Sequence, residues 1–231
     1  MITLSKADMG IFIAVLIILI WLLHLIYILI FAEVNLTSPL LYLHILLQTY
    51  FYTGLFITAH DAMHGTVARN RKVNNTIGTI TTTLFAFLSY RLLSRKHYQH
   101  HLHPTTEDDP DFSPHSNNFF VWWFVFMKNY ITWIQLVLMA IMFNILLIWF
   151  SEIRLILFWV LPALLSTLQL FFFGTYLPHR RPFTNNMQPH FSRSFPKIHF
   201  AAMLTCYFFG YHWEHHESPT TPWWKLYKLK K

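Results

Sequence analysis

Charge is what this sequence has least of. Asp, Glu, Lys and Arg make up 12% of its 231 residues, about half the share of an ordinary soluble domain. Cysteine occurs once, as Cys206, which excludes an internal disulfide and a multi-thiolate metal site and reads as a small core residue. No Gly-x-Ser-x-Gly elbow is present, which argues against a serine hydrolase. Also missing are a Gly-x-Gly-x-x-Gly fingerprint, a Cys-x-x-Cys pair and a haem-binding box, so any redox chemistry must draw electrons from another protein. Repeats, low-complexity tracts and flexible linkers are absent too, and a single domain over 1–231 is expected.

Long apolar runs account for the missing charge. They cover 9–32, 40–59, 130–150 and 153–177, the last interrupted only by Arg154 and Pro162. About 20 helical residues at 1.5 Å each cross a hydrocarbon core of roughly 30 Å. The expected fold is therefore an all-α integral membrane protein with about four transmembrane helices. The first run is too long for the h-region of a cleaved signal peptide and has no small-x-small site after it. With four spans, every one of the 17 Lys and Arg except Arg154 falls on one side, which the positive-inside rule assigns to the cytoplasm together with both termini. Residues 76–90 are apolar at the centre but short, Thr-rich and flanked by basic residues, so a re-entrant or interfacial helix is expected there. Residues 119–127 carry the pair Trp122–Trp123 and are expected at the headgroup boundary, as are Trp223 and Trp224.

What the chain has in excess is histidine, 15 in all. His24 and His44 stand alone in the first two spans and read as neutral groups bonded between helices. His115, His190 and His199 are scattered through loops. The rest cluster. HDAMH places His60 and His64 at i and i+4, KHYQHHLHP places His97, His100 and His101 at i, i+3 and i+4, and YHWEHHE repeats that spacing with His212, His215 and His216. On a helix these positions share a face, so each cluster can aim its imidazoles at a common point. Neutral imidazole suits iron, zinc, copper or nickel, and eight of them exceed what one ion needs, so two ions are expected at the cytoplasmic face. His179, just after Pro178, is a ninth candidate; its spacing alone equally fits a headgroup contact.

The three boxes resemble those of the membrane fatty-acid desaturase and hydroxylase superfamily. Within it, HDAMHG (60–65), KHYQHHLHP (96–104), DPDF (109–112), FGTYLPHRRP (173–182) and YHWEHHESPTTPWW (211–224) are similar to the β-carotene ketolases of the bacterial, membrane-bound type. The resemblance implies a non-haem diiron centre with His60, His64, His97, His100, His101, His212, His215 and His216 as ligands, and it strengthens His179. Asp61, Asp109, Asp108 and His103 are the candidates beside those ligands, where a carboxylate accepting an imidazole N–H fixes the tautomer. Asp111 reads first as part of the solvated, Pro-bent loop and second as another such acceptor, and Glu214 is expected on the far side of its turn and not as a ligand.

By the same resemblance the reaction is O2-dependent oxidation of a carotenoid ring at C4, by two hydroxylations and loss of water. It implies a bacterial inner-membrane protein, a ferredoxin-like electron donor and no nucleic-acid partner. The loops expected outside are only a few residues long, so the substrate should enter sideways from the bilayer. Phe85, Tyr90, Phe173, Tyr176 and Phe209 flank the boxes and are candidates to line its path. Other readings are a fatty-acyl desaturase or ring hydroxylase on the same scaffold and, from a different class, a histidine-rich metal transporter. A transporter predicts ionisable residues along the spans, where they are nearly absent.

Overall fold

A computed structural model describes residues 6–231; the N terminus, expected on the cytoplasmic side, lies outside the described residues. The described chain is all-helical. Helices α1 (Lys6–Phe31) and α2 (Pro39–Met63) are each long and apolar enough to cross a bilayer, as is the continuous helix α7 (Glu152–His179). Large apolar side chains such as Leu23 and Phe31 face outward from α1, as lipid contact requires. The protein is an integral membrane protein by these helices.

The third expected span differs. Residues 119–146 form α5 (Phe119–Tyr130) and α6 (Trp133–Leu146), which meet at 90°. Ile131 and Thr132 are extended, and the Thr132 hydroxyl accepts the Gln135 N–H in a capping box that starts a new helix. At about 1.5 Å per residue, α6 alone is too short to span. The three long helices thus become four only if the bent pair counts as one span.

Helix α3 (Arg71–Ala86) covers the expected interfacial segment. Asn70 caps it, and it packs on α2, which also packs on α1 and α7. Phe87 turns the chain in the left-handed region (φ 54°) into α4 (Tyr90–Leu102). Two short helices, α8 (His199–Cys206) and α9 (His212–Glu217), follow α7.

Several aromatic side chains do not lie where the sequence suggests. Trp122 is fully buried, and its indole N–H donates to the Asp111 carbonyl at 2.7 Å. Trp223 is buried edge-on against Tyr207, and Trp224 is partly buried beside it. A buried indole needs an acceptor, and Trp122 finds one in the loop after the second box. His24 and His44 behave as expected. His24 Nδ1 pairs with Gln48 Oε1 at 2.6 Å, and its Nε2 lies 3.3 Å from His44 Nδ1, tying α1 to α2. Arg154 donates to the Ile28 and Leu29 carbonyls at 3.3 and 3.1 Å, closing the end of α1 opposite the histidine boxes.

Candidate metal centre

Four elements bring the boxes together. The C-terminal ends of α2 and α7 supply His60, His64 and His179, the last turns of α4 supply His97, His100 and His101, and α9 supplies the third box. Consecutive left-handed residues, Tyr207 (φ 49°) and Phe208 (φ 61°), reverse the chain between α8 and α9. Each non-glycine residue there costs about 1–2 kcal/mol. Packing holds the turn: the Tyr207 ring stacks on Tyr50 at 4.4 Å, and its hydroxyl fills the space left by Gly54, where a Cβ would lie 2.8 Å away.

All nine histidines meet in one layer. Ring nitrogens of His60, His64, His97 and His215 lie within 4.8 Å of one another, and those of His100, His179, His212 and His216 form a second such group. His101 bridges them. Its Nε2 is 3.1 Å from that of His97 and 3.0 Å from that of His215, and its ring stacks on His216 with centroids 4.2 Å apart.

The donor chemistry tests whether cations fit. His97 Nε2 is within hydrogen-bond distance of both His64 Nε2 (2.7 Å) and His101 Nε2. His216 Nε2 stands equally between His100 and His212, at 3.1 Å from each. A neutral imidazole nitrogen is either a donor or an acceptor, and Nε2 of His60 and of His179 is buried with no partner at all. Such orphaned groups cost about 1–3 kcal/mol each. Bound cations answer every one of these nitrogens together, so the residues fit two metal ions.

Electrostatics favour the same state. Burial holds His64 down to about 4, and burial with repulsion from its neighbours holds His101 down to about 2. The same causes keep His97, His212, His215 and His216 well below the usual histidine range. Neutral imidazoles are the ligand form. His100 differs: burial opposes its charge, but Asp109 and Asp111 outweigh it and raise it to about 9.

Asp109 is the best-placed carboxylate. It meets His100 Nδ1 at 3.0 Å through one oxygen and 3.1 Å through the other, and it accepts the N–H of Thr105 (2.8 Å) and of Asp111 (2.9 Å). Asp61 lies 3.9 Å from its neighbour's imidazole, beyond hydrogen-bond reach, and instead accepts the Trp223 N–H at 3.1 Å. It ties the segment after the third box to the first box. His103 and Asp108 are exposed, because α4 ends at Leu102 and the loop carries both outward. Asp111, assigned to a solvated loop from the sequence, is buried, stands 3.9 Å from His100 Nδ1 and accepts the Tyr130 hydroxyl. The DPDF turn was legible; that its second carboxylate points inward was not. Glu214 pairs with Lys230 at 3.1 Å and with Ser194, away from both groups.

Beside the imidazoles lies a cavity of about 250 Å³. Its wall is mostly apolar, with Phe56, Met63, Leu93, Met139 and Leu170 among the lining side chains, yet it includes His60 and His97 of one group and His100 and His212 of the other. It reaches the outer surface at Ile131, Leu136 and Leu164, which are 37%, 45% and 46% exposed. That mouth lies between the α5–α6 corner and α7. Phe85 and Phe209 line the cavity. Tyr90 packs its ring over Gly78, Phe173 sits against Phe195, and Tyr176 joins Phe119 and Trp122, so these three stand outside the wall. Phe209 faces His60 and His212 with centroids 4.9 and 5.3 Å apart. Gly174 makes that possible, since a Cβ there would lie 2.0 Å from Phe209 Cε1.

Comparison with known proteins agrees with this geometry. The fatty acid desaturase family model matches residues 36–132 and 122–231. A zeaxanthin 4-ketolase of Chlamydomonas reinhardtii is 42% identical over 188 residues, 79% of this chain and 42% of that protein. A beta-carotene 4-ketolase 3 of Haematococcus lacustris is 37% identical over 193 residues, 77% of this chain and 58% of its own length. The chain thus spans about half the length of these algal relatives. A beta-carotene ketolase of Paracoccus sp. (strain N81106 / MBIC 01143) is 40% identical over 181 residues, covering 77% of this chain and 74% of that protein. No solved structure matches. With a family model across both halves and a relative matched over most of its length, the chain belongs to the fatty acid desaturase family.

Proposed function

We propose that this chain oxidises the β-ionone ring of a membrane-dissolved carotenoid at C4, using two iron ions held by its histidines. The carrying observation is the apolar cavity whose wall includes imidazoles from both groups, in a chain whose relatives matched over most of its length are named as ketolases. His60, His64, His97 and His215 would hold one ion and His100, His179, His212 and His216 the other, with His101 between them. Iron there would supply the O2 activation that oxidising an allylic ring C–H bond needs and side chains lack; zinc, with no second redox state, would not.

The chain's own residues do the rest. Asp109 takes the Nδ1–H of His100 and so leaves Nε2 as its donor nitrogen. Phe209, pressed between Gly174 and the imidazoles, helps keep water from the reacting carbon. Sites that enclose a drug-sized ligand hold roughly 300–1,000 Å³, so a cavity of about 250 Å³ accepts one ring and leaves the polyene in the mouth. Ile131, Leu136 and Leu164 there offer the apolar contact that a chain arriving from lipid requires.

The balance needs two rounds. A ring CH2 with one O2, two electrons and two protons gives the alcohol and one water. A second round gives the geminal diol and another water, and loss of a third water leaves the ketone. The electrons come from a separate reduced one-electron carrier of the ferredoxin type, and a net charge of +7 favours an acidic one. The distribution of Lys and Arg favours a metal site on the cytoplasmic side of the membrane. Expression in a host that accumulates β-carotene tests the proposal. Pigment chromatography should show echinenone and canthaxanthin. Unchanged β-carotene with altered acyl chains would assign the chain to fatty-acyl desaturation instead.

A further inference from the structure

Thr175 is a polar residue of the cavity wall beside the histidine layer. It is 4% exposed, lines the cavity, and lies one turn before His179 on the same side of α7. Threonines inside helices ordinarily return their hydroxyl to the carbonyl four residues back, as Thr49, Thr53 and Thr58 do in α2 at 2.8, 3.1 and 2.9 Å. Thr175 falls within the π-helical turn Phe172–Tyr176, which shifts the carbonyls beneath it. Among the described residues the Thr175 hydroxyl makes no such bond, and its oxygen is not fully enclosed by the protein. An unpaired hydroxyl on an otherwise apolar cavity wall is unfavourable unless a ligand meets it.

We infer that Thr175 holds the oxygen that the first oxidation places on the ring, and so determines whether the alcohol stays for the second round. This rests on the ring-oxidation reading. The unreacted ring is a hydrocarbon and offers the hydroxyl nothing. The alcohol is both donor and acceptor and pairs with it, which keeps the same carbon facing the histidines. Thr175 is therefore a specificity-determining residue for the second oxidation and has no part in the first.

The experiment compares wild type, Thr175→Val and Thr175→Ser in a β-carotene-accumulating host, measuring substrate consumed and the ratio of ring alcohol to ring ketone. Valine preserves shape and removes the hydroxyl; serine preserves the hydroxyl. Loss of one hydrogen bond changes retention about five-fold. T175V should raise the alcohol-to-ketone ratio about five-fold, and T175S should match wild type. An unchanged ratio in T175V overturns the inference. If valine stops turnover, Thr175→Ala carries the same expectation, and loss of all turnover in both overturns it by assigning Thr175 to the first step. A wild-type chain that forms no oxygenated ring contradicts the functional reading itself, a result distinct from these.

Discussion

Asp109→Asn isolates the carboxylate behind the proposed metal site, and its cost can be worked from four contacts. One Asp109 oxygen receives His100 Nδ1–H and the Asp111 N–H; the other receives the Thr105 N–H and lies 3.1 Å from the same imidazole. An amide has one oxygen. Turned either way, it places its NH2 against a backbone N–H, so one acceptor is lost and two donors face each other. Asp109 and His100 side chains are each only 1% exposed, so water cannot repair the loss. A hydrogen bond to a charged group contributes about 1.5–3 kcal/mol, and about 1.4 kcal/mol corresponds to ten-fold in binding. The expected loss of metal affinity is about 10–100-fold, the range found when partners of ligand histidines are removed. Iron content of the purified variant, titrated against a chelator series, is the assay. D109N that keeps wild-type iron affinity and turnover would refute the role given to Asp109.

Other consequences follow from the same geometry. His216→Ala should abolish turnover while the protein still inserts, with bound iron reduced; full activity would remove His216 from the ligand set. Gly174→Ala should overpack Phe209, at a cost of about 1–3 kcal/mol, and lower activity. The double variant with Phe209→Leu should recover part of it, and no recovery would separate the two positions. Acid should weaken the iron-free protein. Between pH 6.5 and about 4 the unfolded chain protonates His64 and the folded chain does not, so folded stability falls as pH falls through that window. His100, raised to about 9, acts oppositely, with its contribution present below 6.5 and lost as pH rises toward 9. A flat thermal-unfolding midpoint from pH 7 to 4, with iron removed, would contradict the burial of these imidazoles.

The clustered histidines were legible because periodicity and charge distribution each place them, and neither depends on tertiary contacts. Spacing of i, i+3 and i+4 sets a shared helix face whatever that helix packs against. Hydropathy likewise located α1, α2 and α7 to within a few residues. The break at Ile131–Thr132 was hidden because residues on both sides are equally apolar; only the Thr132–Gln135 cap marks it. Trp122 and Trp223 were misplaced for a related reason. An indole suits the headgroup region or a core that supplies an acceptor, and composition does not distinguish the two. Asp111 and Asp108 occupy one short acidic loop, and which of them points inward is decided by Tyr130 and Trp122 some distance along the chain. The cavity wall gathers residues from α2, α3, α4, α5, α6 and α7 together with Phe209 and His212, and no local pattern reports that convergence.

Ring oxidation by the iron-loaded chain is the central claim, and reconstitution tests it most directly. Purified protein in vesicles would receive β-carotene, O2 and a reduced ferredoxin-type carrier, with pigments and O2 consumption followed together. The account predicts echinenone and then canthaxanthin, with two O2 used for each carbonyl formed. Unchanged β-carotene under conditions where the same iron-loaded protein desaturates the vesicle acyl chains would contradict it.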